Sequence, residues 1–358
     1  MKTRPLQTRT DSRDHVSAQV LLGALPHLEA ATKILVVGDT TGLIEKELSN
    51  RGLKVTRWLR IASDKQVGES WPPQGPYDGA IMRLPRSKLA LEMAIHATAS
   101  VLRPGCPLWV FGANDEGIRS VPKRINPILG TCTTVETKRH CRVIQALQIP
   151  GSVIVKDQLT LFRQQVSYTI NNETVTHTSY PGVFAKGELD PGTRALISAL
   201  TQLPERAAVM DFGCGTGIIS AALRRQYPHI SLHLTDADAV AIEAAKDNVD
   251  NAHFSCCDAW GAIPATRQFD RIISNPPIHS GKGRDYRVLN KLISGSPARM
   301  RPKAELWLVA HRQIPAQAPL DELFSSVALQ WEDTRYRVWC ASKPRRKPAQ
   351  KNRPFQMT

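Results

Sequence analysis

One order of signals occurs twice along this chain, and a fold that has to be built twice leaves few architectures open. Residues 207–223, AAVMDFGCGTGIISAAL, run from an apolar strand-like segment through a glycine-rich turn into a helical pattern. Residues 33–48, KILVVGDTTGLIEKEL, repeat it, with Gly38 opposite Gly213 and Gly42 opposite Gly217. Downstream, YDGAIMRLP (77–85) answers FDRIISNPP (269–277), LRPGCPLWV (102–110) answers MRPKAELWL (300–308), and CRVIQA (141–146) answers YRVWCA (336–341). Strand patterns alternating with helical ones predict an α/β protein with an open, mostly parallel sheet in each half. A chain of 358 residues also exceeds what one core usually supports. The expected boundary falls near Pro150-Gly151, giving halves at 1–150 and 151–342. Between them, SVIVKDQLTLF and VSYTINNETVTHTSY read as strands added ahead of the second core, with Asn171-Asn172 as a hairpin turn.

Composition narrows the partners. Hydrophobic residues make up 42% of the chain, yet no apolar stretch approaches the ~18 residues of a membrane span. The first residues are basic and polar, without the apolar segment of an export signal, so a cytoplasmic protein is expected. Seven scattered cysteines with no C-x-x-C pair fit neither a zinc site nor a disulfide framework. A formal net charge of +15 favours a polyanionic partner, nucleic acid first, because no basic amphipathic helix offers itself to a membrane surface. Residues 343–358 are rich in Lys, Arg and Pro and are expected to be disordered, as a solvated tail or an RNA-tethering arm.

The chemistry concentrates in the second half. The turn Asp211-Phe212-Gly213-Cys214-Gly215-Thr216-Gly217 leaves the carboxyl end of a predicted strand, where open α/β sheets bind ligands. Its glycines let backbone approach a ligand closely. A dinucleotide fingerprint requires its third glycine one place later, where Ile218 stands, and D-x-G-x-G-x-G resembles instead the cofactor loop of Rossmann-like methyltransferases. Asp211, Gly213, Cys214, Gly215 and Gly217 are therefore candidate cofactor-binding residues. The next strand ends at Asp236, an acid placed to accept hydrogen bonds from ribose hydroxyls, with Ala237 beside it; Asp238 reads as the N-cap of the following helix. Asp258, after HFSCC, occupies the position that contacts an adenine amino group in such enzymes. After the strand FDRII comes Ser274-Asn275-Pro276-Pro277-Ile278. Paired prolines fix the backbone so that the Asn275 side-chain carbonyl and the Pro276 main-chain carbonyl can face one exocyclic amino group.

Taken together, these motifs resemble the bacterial small-subunit ribosomal RNA guanine-N2 methyltransferases, duplicated enzymes with a degenerate N-terminal copy. The resemblance is carried further by Pro181-Gly182-Val183-Phe184 and Leu189-Asp190 ahead of the loop, and by His279 and Gly281 after the prolines. It implies two tandem Rossmann-like methyltransferase domains, S-adenosyl-L-methionine as cofactor, ribosomal RNA or the small ribosomal subunit as partner, and no metal or membrane. Asn275, Pro276, Pro277 and Ile278 would be the catalytic residues, Asn275 also bordering the cofactor. The residue after the prolines is usually aromatic in such enzymes and stacks on the flipped base, a contact worth about 1–3 kcal/mol. Here it is Ile278, and the basic Gly281-Lys282-Gly283-Arg284 is the expected substitute. In the first half Val36 replaces Asp211, Thr40 replaces Gly215, and Arg83-Leu84 replaces Asn275-Pro276, so that copy should bind no cofactor. Arg83, Arg86 and Lys88 are then expected either to contact RNA or to belong to a half that supports its neighbour. The rival readings are methylation of guanine in large-subunit RNA, of DNA adenine or of protein glutamine, and a non-catalytic RNA-binding assembly factor.

Overall fold

The computed structural model describes residues 7–64, 66–147, 154–170, 173–183, 189–277, 279–280, 283–284 and 286–345. Its first sheet comprises β1 (Lys33–Val37), β2 (Lys54–Trp58), β3 (Gly79–Arg83), β4 (Pro107–Ala113), β5 (Cys132–Lys138) and β6 (Cys141–Leu147) in the order β2-β1-β3-β4-β6-β5. A hairpin, β7 (Gln164–Ile170) and β8 (Glu173–Ser179), precedes the second sheet. That sheet comprises β9 (Ala208–Phe212), β10 (Ser231–Asp236), β11 (Ala252–Cys256), β12 (Phe269–Ser274), β15 (Met300–His311), β16 (Phe324–Glu332) and β17 (Tyr336–Pro344), ordered β11-β10-β9-β12-β15-β17-β16. The short strands β13 (His279–Ser280) and β14 (Gly283–Arg284) pair with each other after β12. The helices are α1 (Gln7–Ala24), α2 (Leu43–Asn50), α3 (Lys88–Ala99), α4 (Pro122–Leu129), α5 (Pro191–Ala199), α6 (Ile218–Gln226), α7 (Ala239–Asn248), α8 (Arg287–Gly295) and α9 (Gln317–Leu323).

The two sheets correspond strand for strand, except that β11 has no partner in the first half. Each is parallel through its centre and closed at one edge by an antiparallel pair, β6-β5 in one and β17-β16 in the other. The repeated sequence signals have repeated structural reasons. Asp78 accepts from the Lys33 amide at 2.8 Å and pairs with Arg103; Asp270 accepts from the Ala208 amide at 2.7 Å and pairs with Arg301. An aromatic-Asp step at or just before the start of one strand and an Arg-Pro step at or just before the start of the next thus tie three strands together in both halves. Trp109 and Trp307, from the matching Leu-Trp strands, are each only 1% exposed. Near-continuous apolar runs such as KILVV suit strands buried on both faces, and each sheet has a separate buried cluster on either side.

In the second half, α7 and β11 connect β10 to β12; between β2 and β3 the described residues of the first half form neither helix nor strand. That connection crosses to its neighbour instead, with Ile61 opposite Asp238 in an isolated antiparallel bridge. Beside it, Met93, Phe162, Tyr180, Val183, Val240 and Ala244 form an apolar cluster drawn from both halves and the segment joining them.

One strand expectation is corrected. In SVIVKDQLTLF, residues 154–157 form no strand and Leu159–Phe162 is a 3-10 turn, which buries Phe162 in that cluster with Leu159 packed against it while Ile154 and Leu161 stay exposed. The boundary at 150–151, the Asn171-Asn172 turn and residues 346–358 lie outside the described residues, and β17 runs on to Pro344.

Candidate active site

The sheet register brings the motif-bearing loops to one edge. Asp211 lies beside Leu234 of β10 and Ile273 of β12, and Asp236 beside Cys256 of β11, so the four strands end together. The glycine turn is anchored from beneath, with the Gly213 and Cys214 amides donating to the Thr235 carbonyl at 2.8 and 3.0 Å. Gly213, Gly215 and Gly217 have φ of 69°, 56° and 80°, a region that penalises a Cβ. Gly38 and Gly42 keep the same conformation at 71° and 69°.

The three glycines differ in what surrounds them. A Cβ at Gly215 would meet nothing within 4 Å, so this backbone faces open space, and its amide donates to Asp236 Oδ2 at 2.9 Å. At Gly217 a Cβ would come within 3.0 Å of Val249, so that glycine lets α6 pack on α7. Cys214 buries its thiol, which donates to the Gly215 carbonyl at 3.6 Å, and burial pushes that thiol well above its usual range.

Two carboxylates border the turn, Asp211 buried and Asp236 half-buried. Asp211, 1% exposed, accepts from Ser220 Oγ at 2.7 Å through Oδ2, while its Oδ1 is buried without a partner. Asp236 accepts from the Gly215 amide and, through Oδ1, from the Asp238 amide at 2.9 Å. Burial raises both to about 6, helped for Asp211 by the nearby Asp236 charge. Asp238 caps α7 by accepting from the Val240 amide at 2.9 Å, as its position predicts. Asp258 is held by Lys291 Nζ at 2.7 Å.

Asn275 is half-buried, and its amide is oriented by two contacts: Nδ2 donates to Asp190 Oδ1 at 2.9 Å and to Thr193 Oγ1 at 2.8 Å. Both amide hydrogens are thereby used, leaving the carbonyl Oδ1 to face anything that enters. Asp190 is itself fixed as the N-cap of α5, accepting from the Thr193 amide at 2.9 Å. Ser274, fully buried, donates to the Phe212 carbonyl at 2.7 Å and pins the strand end to β9. Pro276 is buried and Pro277 exposed, 3.8 Å from where a Cβ on Gly213 would lie. Ile278, Gly281, Lys282 and Phe184 lie outside the described residues.

Asp190 and Thr193, which hold the Asn275 amide, are contacts that the motif logic missed. Leu189-Asp190 counted there only as a family flank; the capping signature Asp-Pro-Gly-Thr marks a helix start, but nothing in it points across 85 residues to Asn275. Asn248 makes another contact of this kind: its Nδ2 donates to the Thr178 and Thr216 carbonyls at 2.8 and 2.9 Å, joining the hairpin to the glycine turn.

The matching edge of the first half is closed. Arg83, at the place of Asn275, pairs with Asp14 of α1 at 2.7 Å and with Glu116 at 2.6 Å, its guanidinium 5.9 Å from the Phe111 ring centre. Of the two roles expected for this edge, RNA contact or support, the pairing of Arg83 with Asp14 and Glu116 favours support. Arg86 and Lys88 remain exposed. At the place of Cys214, beside Thr40 in the position of Gly215, Asp39 folds inward in the first half, accepting from the Thr41 amide and hydroxyl at 2.9 and 2.6 Å.

Residues 174–340 match the family described as Methyltransferase small domain, and residues 32–153 match Methyltransferase small domain N-terminal. A Ribosomal RNA small subunit methyltransferase C from Stutzerimonas stutzeri is 31% identical over 244 residues, 67% of this chain and 71% of that one. Its counterpart from Pseudoalteromonas atlantica is 28% identical over 345 residues, 91% and 99% of the two chains. A solved T. thermophilus 16S rRNA N2 G1207 methyltransferase, in complex with AdoMet and guanosine, shares the fold with a TM-score of 0.80 at 22% identity, covering 92% of each chain. With the duplicated fold in place and these relatives spanning both halves, the chain belongs to the ribosomal RNA small subunit methyltransferase C family.

Proposed function

We propose that this chain transfers a methyl group from S-adenosyl-L-methionine to the exocyclic N2 amino group of a guanine in small-subunit ribosomal RNA, at the edge formed by Asp211, Asp236 and Asn275. The observation that carries the reading is the Asn275 amide, whose NH2 is committed to Asp190 and Thr193. Such a group offers an acceptor and no donor, so it suits an amino group and repels a carbonyl. The names and substrates of the relatives point the same way.

The residues present fit the cofactor. Asp211 has a buried oxygen without a partner, suited to a cationic ligand, and Asp236 retains lone pairs for a ribose beside the open backbone of Gly215. Gly213, the Cys214 backbone and Ala237 border the same space, and Asp258 would take the adenine end. When bound, the cofactor supplies an electrophilic methyl on a sulfonium. What the chain must add is orientation, because the N2 lone pair is delocalised into the ring. Accepting its N–H bonds at Asn275 Oδ1 and the Pro276 carbonyl favours the pyramidal nitrogen that exposes that lone pair. Preorganised alignment of this kind supplies several kcal/mol, up to about 7–11 in ideal cases. Once alkylated, the nitrogen is acidic enough to release its proton to water without a dedicated base.

A stacked base cannot reach this edge, so the guanine is unpaired or extruded at a cost of a few kcal/mol. The net charge of +15 holds the strand. The first half, with its old site filled by Arg83, supports the second. Among the described residues no helix is long and apolar enough to cross a membrane, and the reading puts the protein in the cytoplasm with its substrate. The test is transfer of labelled methyl from the cofactor to isolated small and large subunits and to naked RNA, followed by nucleoside analysis. N2-methylguanosine in small-subunit RNA is expected; label confined to large-subunit RNA, to another atom or to protein would overturn the reading.

A further inference from the structure

The first half has lost its own cofactor site, yet the connection that replaces its missing edge strand lies against the acid-bearing turn of the second. Arg60 reaches across as a fork: Nε and Nη2 each donate to one oxygen of Asp238 at 2.7 Å, and Nη1 donates to the Pro181 carbonyl at 2.8 Å. All three guanidinium nitrogens are engaged, and the Arg60 and Asp238 side chains are only 18% and 16% exposed. The backbone continues the contact on both sides, the Ala62 amide donating to the Ala237 carbonyl at 2.7 Å and the Ala239 amide to the Arg60 carbonyl at 3.0 Å. Gly68 closes the other flank. Its amide donates to the Cys256 thiol, which itself donates to the Ala237 carbonyl at 3.7 Å, and a Cβ on Gly68 would lie 2.6 Å from the Arg60 carbonyl.

We propose that Arg60, from the half without cofactor chemistry, is a positioning residue for S-adenosyl-L-methionine: it holds the Asp236-Ala237-Asp238 turn in the geometry that receives the ribose. The inference rests on the assignment of Asp236 as the ribose ligand. Within its own half the turn is held by the Gly215 and Asp238 amides on Asp236, the Cys257 amide on the Asp236 carbonyl at 3.0 Å and the Val240 amide on Asp238, and Arg60 is the side chain that fixes it from the other half. Asp236 braces Gly215 on one side and the Asp238 amide on the other, so a displacement of Asp238 reaches the ribose acceptor and the glycine turn together. Two neighbouring carboxylates also repel each other, and the guanidinium on Asp238 offsets that repulsion where Asp236 must remain ionised. Arginine suits this role because its planar fork matches a carboxylate with two parallel bonds, while a lysine would keep the charge and lose the register. The degenerate half thereby completes the wall of a site that it no longer contains.

The test compares cofactor binding by calorimetry, single-turnover methyl transfer at saturating cofactor, and thermal unfolding for the wild type, Arg60→Ala, Arg60→Lys and Asp236→Ala. Arg60→Ala should weaken cofactor binding by about tenfold or more, with a smaller loss of rate at saturation, and Arg60→Lys should recover only part of the affinity. A role in holding the halves together and nothing else would lower the unfolding temperature and leave the affinity of the folded protein unchanged; that result overturns the proposal. If Arg60→Ala does not fold, Asp238→Ser decides, since serine keeps the cap on α7 and loses the fork: weakened binding supports the proposal and unchanged binding refutes it. Loss of affinity in Asp236→Ala but not in Arg60→Ala would reject the positioning role alone, whereas unchanged affinity in Asp236→Ala would reject the ribose assignment itself.

Discussion

Asp190→Ser separates orientation of the Asn275 amide from every other role of the loop. One oxygen, Oδ1, accepts both from the Thr193 amide as the cap of α5 and from Asn275 Nδ2, each at 2.9 Å. Serine is as good an N-cap as aspartate, so α5 keeps its start, but its hydroxyl is too short to reach Asn275 as well. Only Thr193 Oγ1 then holds the amide. A hydrogen bond to a charged acceptor contributes about 1.5–3 kcal/mol. With that preference removed, the amide turns over part of the time and presents NH2 to an incoming amino group. Expressed in the transition state, the loss slows single-turnover transfer by roughly tenfold to a hundredfold. The assay is rapid quench with labelled cofactor at saturating cofactor and subunit, alongside calorimetry and thermal unfolding. Rate should fall while cofactor affinity and unfolding temperature stay near the wild type, and Asp190→Asn, which keeps an acceptor oxygen, should restore most of the rate. A wild-type rate in Asp190→Ser, or a parallel loss of cofactor affinity, refutes the reasoning.

Calorimetry should find one cofactor per chain, and Gly213→Arg, which forces a long side chain onto a backbone of φ 69° facing Pro277, should abolish it; binding that survives points to a second site. RNA binding should weaken steeply with salt, since each phosphate neutralised releases counterions, while cofactor binding responds far less; a flat salt response for RNA removes the electrostatic argument. Asp211 and Asp236, raised from 3.8 to about 6 by burial, lose their charge as pH falls through 6, so affinity for the cationic cofactor should drop from pH 7 to pH 5. In the cofactor-free protein the folded state binds more protons than the unfolded between pH 3.8 and about 6, so these groups make stability fall as pH rises through that window. The cofactor should therefore raise the unfolding temperature more at pH 7 than at pH 5, and the reverse order contradicts the assignment.

The fold was legible because it is written twice: an Asp tying one strand, an Arg-Pro step and a Leu-Trp strand recur with the same contacts in both halves. The loop-bearing edge was legible as well, since D-x-G-x-G-x-G and Asn-Pro-Pro are local patterns at strand ends. What escaped were contacts between residues far apart in sequence. Arg83 reads as a free basic residue until Asp14 and Glu116 are found against it. The apolar residues of SVIVKDQLTLF alternate like a strand, but burial against residues of both halves, not a sheet partner, decides its shape. The fork from Arg60 to Asp238 spans 178 positions, and no periodicity encodes it.

Asn275→Ala tests the central claim most directly, in single-turnover methyl transfer to small subunits with cofactor affinity measured on the same protein. The Asn275 side-chain carbonyl is assigned to the amino group in the transition state, so its removal should lower the rate by about a hundredfold or more and leave cofactor binding largely intact. Near-normal transfer at saturating cofactor and subunit would contradict amine recognition by Asn275 and reduce Asn-Pro-Pro to a rigid turn.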